Sequence, residues 1–386
     1  MILDDDPIPV GLLSPRTGVL EGFGAGAEHA AQLAIDEVND AGGPMNREIE
    51  LHIEDTETDR GRAVDAFDRL VDDDIVACLG PLASSTHTTE LSDRVSEANV
   101  MQVTLSLYPD IATQGFATVE DHELKFIGRP TPNDLQMGIS AAYVLNEILT
   151  ADTAWFGWWE PPEERMLTRA EELFDGEVID WWESAFHGVT EFDDVVEADP
   201  DAYVYFGTDQ EHHLEGLTNA GYDGDIVFYR GFNWIDLDEY GDLADGVYSV
   251  ESRPEPTDGT DAFEQTFEDT FDGQERPMVA EMYDAVMLVA LALQRAGESD
   301  GPAIAEHIQK ISTAPGEHVT FGDFDQAKSL LQDEESVHYI GVSGHVDLSE
   351  RLEPVYPQAI MQVQDGEAVD VETLSADFFE GKLYDL

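Results

Sequence analysis

A chain of 386 residues with 84 acidic and 18 basic side chains, net charge −66, cannot bind nucleic acid or an anionic membrane face by electrostatics. Disorder, the other common meaning of such charge, is opposed by 42% hydrophobic and 9% aromatic residues. The length fits two lobes of about 100–200 residues each.

Pro9–Leu13 reads as a strand, followed by a glycine-rich loop, Ser14–Gly26. The apolar face of Ala27, Ala30, Ala31, Ala34, Ile35 and Val38 predicts a helix stopped at Gly42-Gly43. Glu48–Ile53 is the next strand, and Thr58 or Asp59 caps a helix running to Leu70. Ile75–Leu79 is an apolar strand holding Cys78, the only cysteine, which excludes disulfides and thiolate metal sites. That strand runs into Gly80-Pro81, and the hydroxyls of Ser84, Ser85 and Thr86 open a helix through Glu90–Glu97. A helix start presents unpaired N–H groups and a positive dipole end, so it holds an anion without a lysine. The loop has no acid/base pair, which suits holding a small carboxylate; the plain alternative is a serine cap. Val100–Leu105 closes the first series of alternating strands and helices, the pattern of a parallel sheet covered on both faces.

The pattern then restarts. Asn133 begins a helix through Leu149, and Trp155–Trp158 is a strand. Glu163–Phe174 is helical, Val178–Trp182 a strand, and a short helix around Val195 precedes the strand Ala202–Phe206. Glu211–Asn219 is a helix closed by Gly221, and Ile226–Tyr229 and Val247–Val250 are strands. Residues 253–259 read as a connection between lobes. Helices follow at Asp261–Phe271, Met278–Ala296 and Pro302–Lys310, with Gly341–Val346 and Pro354–Val363 closing the chain. No apolar run reaches the 18 or so residues of a membrane span. Met1-Ile2-Leu3 meets Asp4-Asp5-Asp6 at once, which reads as no signal peptide, so the protein is cytoplasmic or lacks its leader here.

Lysine occurs only at positions 125, 310, 328 and 382. An acidic, lysine-poor surface around an intact core suits very salty media, where molar salt shortens the Debye length to roughly 3 Å.

The motifs argue against catalysis. Gly22–Ala27 fits the dinucleotide fingerprint formally, but about eight residues separate it from its strand; a flexible loop carrying Phe23 is the better reading. Glu211-His212-His213 reads as a solvated helix start, and no histidine reads as an i, i+4 partner of a carboxylate base. No HExxH, GxSxG, SxxK or Walker sequence occurs. Aromatics gather at strand ends instead: Tyr108, Trp158-Trp159 and Tyr229, with Asp209 and Arg230 nearby. The carboxyl edge of such a sheet faces its crevice, and aromatic rings there supply apolar area and a cation-facing surface.

SPRTGVLEGFGAGAEHAAQLAIDEVNDAGG, REIELHIEDTETD and CLGPLASST, with Tyr283-Asp284-Ala285-Val286 and YIGVSGHVDLSE, resemble the branched-chain amino-acid- and amide-binding proteins of ABC importers. The resemblance covers nearly the whole chain. It implies the type I periplasmic-binding fold: α/β, two doubly wound parallel-sheet lobes joined by three crossovers, with a ligand closed between them by a hinge. The expected lobes are 7–128 plus 254–338, and 129–253 plus 339–386. It also implies an extracytoplasmic lipoprotein, ABC permease subunits as partners, no cofactor and no metal.

Under the resemblance, Ser84 and Ser85 match the family's carboxylate-holding hydroxyl and N–H. Ser106 matches the loop that takes ammonium and carboxylate, and Phe23 an aromatic bordering the ligand. Trp158 and Trp159 fall where the opposite lobe lays an aromatic over it. Asp209 falls near a family tyrosine, and Tyr229-Arg230 fall where amino-acid binders carry an ammonium-pairing glutamate. Without that glutamate an ammonium must meet Asp209, Glu281 or a tryptophan face. An Arg230 pointing into the crevice would repel it and favour a second carboxylate. The rival readings are an amide sensor of the same fold and, from another class, a nucleotide-dependent enzyme using Gly22–Ala27.

Overall fold

A computed structural model describes residues 6–82, 89–159, 161–183, 192–230, 232, 235–271 and 278–384, the side chains of 161–163 excepted. The chain divides into two compact units, Met1–Asn133 with Glu255–Val355 and Asp134–Pro254 with Tyr356–Leu386, and so crosses between them three times.

In the first unit the chain runs β1 (Ile8–Ser14), α1 (Glu21–Asp40), β2 (Ile49–Asp55), α2 (Arg60–Asp72), β3 (Ala77–Leu79), α3 (Thr89–Ala98) and β4 (Met101–Val103). A hairpin, β5 (Phe116–Val119) and β6 (His122–Lys125), precedes β7 (Ile127–Gly128). The sheet order β2-β1-β3-β4-β7 is parallel throughout. Asp59 caps α2 by accepting from the Arg62 N–H.

The second unit contributes α4 (Leu135–Tyr143), β8 (Thr153–Trp158), α5 (Pro161–Leu173), β9 (Glu177–Glu183), α6 (Phe192–Ala198) and β10 (Ala202–Phe206). It continues with α7 (Gln210–Ala220), β11 (Asp225–Tyr229), α8 (Leu237–Tyr240) and β12 (Tyr248–Ser252). Back in the first unit lie α9 (Thr260–Phe271), α10 (Val279–Ala296), α11 (Gly301–Ile311), β13 (Glu317–Val319), α12 (Phe324–Gln332) and β14 (Val337–Tyr339). Two antiparallel strands, β15 (Gln358–Gln364) and β16 (Glu367–Leu374), complete the second sheet in the order β16-β15-β12-β11-β10-β8-β9. α10 is buried almost all round and packs against α1 and α11, which is why its apolar run is a core helix.

Three boundaries differ from expectation, one of them by Pro254 alone, which stays with the second unit. Residues 129–133 and 339–355 pack with the first unit. A buried Asp284 carboxylate on α10 accepts from Tyr339 Oη at 2.6 Å, the Val342 and Ser343 N–H groups at 2.9 Å, and Ser343 Oγ at 2.6 Å. That holds the irregular 340–346 segment, while Arg129 pairs with Glu353 in the same unit. The glycine-rich loop is also shorter: α1 begins at Glu21 and takes Gly22–Ala27 into the helix. Helical glycine costs about 1 kcal/mol against alanine, but a Cβ on Gly24 would lie 2.6 Å from the Pro15 carbonyl oxygen. The small residues let the helix press on the turn before it. Gly22 thus lies inside the helix and not in the tight strand-to-helix turn where a dinucleotide fingerprint needs its first glycine.

Lys125 is buried beneath the hairpin, donating to the carbonyls of Ile111 and Ile127 beside the Phe116 ring. Burial pushes its ammonium down to about 7, against the opposing pull of Glu353. An unfolded lysine titrates near 10.4, so between about pH 7 and 10 the unfolded chain binds more protons. Stability is therefore expected to rise with pH across that window. Urea melts at its two ends should show the rise in the native protein and a flattened dependence in Lys125→Met; equal slopes would acquit Lys125.

Candidate functional site

Ligands of open parallel sheets sit beyond the carboxyl ends of the strands, where the strand order reverses. In the first unit the reversal lies between β1 and β3, at Ser14 and Leu79. Ser14 Oγ donates to Glu28 at 2.8 Å, and Arg16 pairs with both oxygens of the same carboxylate. Ser84 and Ser85 follow β3 in sequence and lie outside the described residues.

The loop after β4 is tightly held. Ser106 is buried; its N–H donates to Thr104 Oγ1 at 3.1 Å and its Oγ accepts from the Tyr108 N–H at 3.3 Å. Arg129 donates from one terminal nitrogen to the carbonyls of Ser106 and Tyr108, both at 2.9 Å. Its Nε and other terminal nitrogen take Glu353 Oε2, while Asn133 Nδ2 donates to Glu353 Oε1 at 2.9 Å. Both charged side chains are fully buried. The sequence points to Ser106 but not to what fixes it, because Arg129 and Glu353 lie 224 positions apart. Phe23 and Tyr108 are half-buried against the first core. Glu281 is half-buried in the first turn of α10.

In the second unit the reversal falls between β8 and β10. The Trp159 N–H donates to the Phe206 carbonyl at 3.0 Å and ties the two strand ends together. Trp158 and Trp159 are half-buried, and Trp158 meets Trp181 edge to face, 5.7 Å between centroids. Gln210, buried at the start of α7, donates to the carbonyls of Gly207 at 2.8 Å and Tyr229 at 2.7 Å, clamping the β10 turn to the end of β11. Tyr229 is buried and stacks on Phe206 at 5.0 Å. Arg230 lies over the Tyr229 ring and pairs with Asp134 at 2.7 Å. The pairing offsets the guanidinium charge, so the repulsion of an ammonium expected from an unpaired Arg230 is reduced.

Two sequence expectations fail on α7. Only His212 is solvated there; His213 is fully buried, in van der Waals contact with aromatic rings. Asp209 and His213 also form the i, i+4 carboxylate–histidine pair that the sequence reading denied, with Oδ2 and Nε2 3.7 Å apart. The spacing was there to be read, but an adjacent histidine pair in an acidic stretch masked it. Partial burial works against the Asp209 carboxylate, yet interactions with His213 and Tyr205 outweigh it and hold its pKa below the ordinary aspartate range. Among the described residues no group of three or more acids, histidines or cysteines could hold a metal, and no helix is long and apolar enough to cross a membrane.

The chain matches the periplasmic binding protein family over residues 7–122 and the receptor family ligand binding region over 196–366. It is 27% identical, over 97% of its length and 91% of the relative's, to a substrate-binding protein of a chemotactic signal transduction system, BasB, of Halobacterium salinarum. Its fold matches the branched-chain amino-acid transporter substrate-binding protein LivJ of Streptococcus pneumoniae, solved with isoleucine, at TM-score 0.70 and 19% identity, covering 96% and 99% of the two chains. A solute-binding protein of an ABC transporter from Rhodopseudomonas palustris, solved with 3,4-dihydroxybenzoic acid, matches at TM-score 0.69 and 19% identity over 97% and 98%. These likenesses establish the type I periplasmic-binding fold.

Proposed function

We propose that this chain, which belongs to the periplasmic binding proteins, is an extracytoplasmic receptor for a small amino-acid-like or carboxylate solute and performs no chemistry on it. The observation that carries this reading is what stands beyond the carboxyl ends of the strands. There lie held hydrogen-bond frameworks and aromatic rings, Ser106 and Tyr108 after β4 in one unit and Trp158, Trp159 and Asp209 after β8 and β10 in the other. Ser84, Ser85 and Ser106 orient the carboxylate, while Phe23, Tyr108, Trp158 and Trp159 enclose the apolar part. Glu281 and the Tyr229–Arg230 turn complete the candidate set. A ligand that meets both lobes only when they close favours the closed state by its differential affinity, a population shift. In this reading the loaded protein delivers its solute to ABC permease subunits.

Calorimetry on ligand-stripped protein in molar salt tests it, with L-isoleucine, 3,4-dihydroxybenzoate and acetamide as probes. Saturable binding of an amino acid or carboxylate, weakened roughly tenfold or more by Ser84→Ala with Ser85→Ala, is expected. Unchanged affinity in that variant would remove the serines from the site, and no binding by any probe would sink the receptor reading.

A second reading, sensing in place of uptake, is favoured by the chemotactic relative that spans nearly the whole chain. Radiolabelled uptake and swimming assays in cells lacking the gene separate the two. Lost uptake supports import, and lost chemotaxis with normal uptake supports sensing.

A further inference from the structure

The chain first passes from one unit to the other at a single peptide bond, between Asn133 and Asp134. Both residues are buried, and each is gripped from its own side. Asn133, the last residue of the first unit there, donates from Nδ2 to Glu353 Oε1 at 2.9 Å and to the Pro109 carbonyl at 3.4 Å. The other oxygen of Glu353 takes Arg129, which holds the Ser106 and Tyr108 carbonyls. Two side chains thus join the candidate solute loop after β4 to the crossing. Glu353 also stands two residues before the last crossing, at Val355 and Tyr356.

The second unit grips the same peptide in its own way. Asp134 occupies the N-cap position of α4, where an aspartate usually satisfies free N–H groups, yet its side chain makes no capping hydrogen bond. Its Oδ1 accepts from Arg230 at 2.7 Å instead, a partner 96 positions away. Arg230 departs from its own local preference as well. Its φ is +46°, in the left-handed region that strains a non-glycine residue and persists only where the surroundings dictate it. Arg230 directly follows Tyr229, whose carbonyl is clamped by Gln210 at the end of β11. Gln136, two residues beyond the crossing, donates to the Tyr356 carbonyl at 2.7 Å, so the first and last crossings are tied together on this side too. Buried ion pairs are weak evidence of stability; what these two hold is geometry.

We propose that Asn133 and Asp134 are positioning residues for closure: through them the candidate solute segments, 106–108 in one unit and Tyr229–Arg230 in the other, set the hinge at their shared peptide. The proposal rests on the solute-receptor reading above and adds to it the regulation of that site. A hinge turns by backbone rotation at a few residues, and here two of those residues are the ones that the site frameworks hold. A solute that draws either segment toward itself therefore pulls on one end of this peptide. Releasing either grip changes the balance of open and closed forms before any solute binds. Such a change multiplies the apparent affinity of every solute by one common factor, whereas a residue that touches the solute acts on each solute differently.

Nitroxide labels at Asp65→Cys on α2 and Asn219→Cys on α7, both exposed, report the distance between the units by pulsed electron paramagnetic resonance, while Cys78 stays buried and unlabelled. In molar salt without solute, Asn133→Leu and Asp134→Ser should each shift or broaden the native distance distribution. Asp134→Glu, which keeps a carboxylate for Arg230, should restore it. Thermal melts report folding separately. Calorimetry of Asn133→Leu, with L-isoleucine, L-phenylalanine, 3,4-dihydroxybenzoate and 3-phenylpropanoate as probes, should show those that bind the native protein weakened by one shared factor of about 3 to 10. Distributions unchanged in both variants, or an affinity loss confined to one of the bound probes, would overturn the proposal alone. A change in Asn133→Leu without one in Asp134→Ser would overturn the two-sided grip. If no probe binds the native protein, the receptor reading falls and takes the proposal with it.

Discussion

Glu353→Ala is expected to destabilise the protein by about 3–5 kcal/mol, the usual result of stranding one member of a buried ion pair. The Arg129 guanidinium would keep its bonds to the Ser106 and Tyr108 carbonyls but lose its counter-charge in a site with no exposure. Asn133 would lose this acceptor and keep the Pro109 carbonyl at 3.4 Å. The double variant Arg129→Met with Glu353→Leu is expected to cost much less, since it removes both charges and refills the space with apolar groups. Urea unfolding in molar salt measures both. A Glu353→Ala cost below about 1 kcal/mol would show that the pair is not the anchor of this region. The functional consequence follows from geometry: the carbonyls that Arg129 holds belong to the loop carrying Ser106, so the single variant should also weaken solute binding.

The local parts of this architecture were legible because they follow short-range rules. The order of strands and helices came from periodicity, and the second unit's strands fall close to where the pattern put them, Ala202–Phe206 in full. Gly221 closes α7 in the left-handed conformation, as a glycine after a helix should. The misreadings are non-local or rest on cancelling preferences. Gly22–Ala27 has the composition of a loop, yet it is helical, with Gly24 pressed against the Pro15 carbonyl. The hairpin of β5 and β6 has only four residues to a strand and carries no clear alternation to read. The assignment of 339–355 to the first unit depends on Asp284 and Arg129, whose partners are 55 to 224 positions away. At the candidate site, the aromatic strand ends were visible from sequence, whereas the burial of His213 was not. A histidine on a helix gives no sign of which face it takes until its neighbours are packed.

Dilution from about 3 M to about 0.1 M KCl should cost this fold most of its stability, an effect larger than that of any single substitution above. A globular chain of 42.6 kDa exposes roughly 15,000 Å². Spreading 66 net negative charges over it leaves them about 15 Å apart. In water each neighbouring pair repels by about 0.3 kcal/mol unscreened, and at about 0.1 M the Debye length near 10 Å leaves roughly 0.06 kcal/mol. With about six neighbours per charge the folded surface carries roughly 200 such pairs, on the order of 10 kcal/mol of repulsion. Above about 1 M the Debye length near 3 Å removes nearly all of it. Unfolding relieves only part of the repulsion, because the charges stay on one chain, but folded domains are stable by only about 5–15 kcal/mol. The structure adds a reason why lysine offers little relief: Lys125 and Lys328, two of only four, are buried against carbonyl oxygens. Thermal melts across a KCl series should therefore show the midpoint rising steeply up to about 1 M and then flattening. Sucrose, which strengthens burial without screening charge, should not replace the salt. Equal midpoints at both ends of the series would mean that the acidic surface is not what limits this fold.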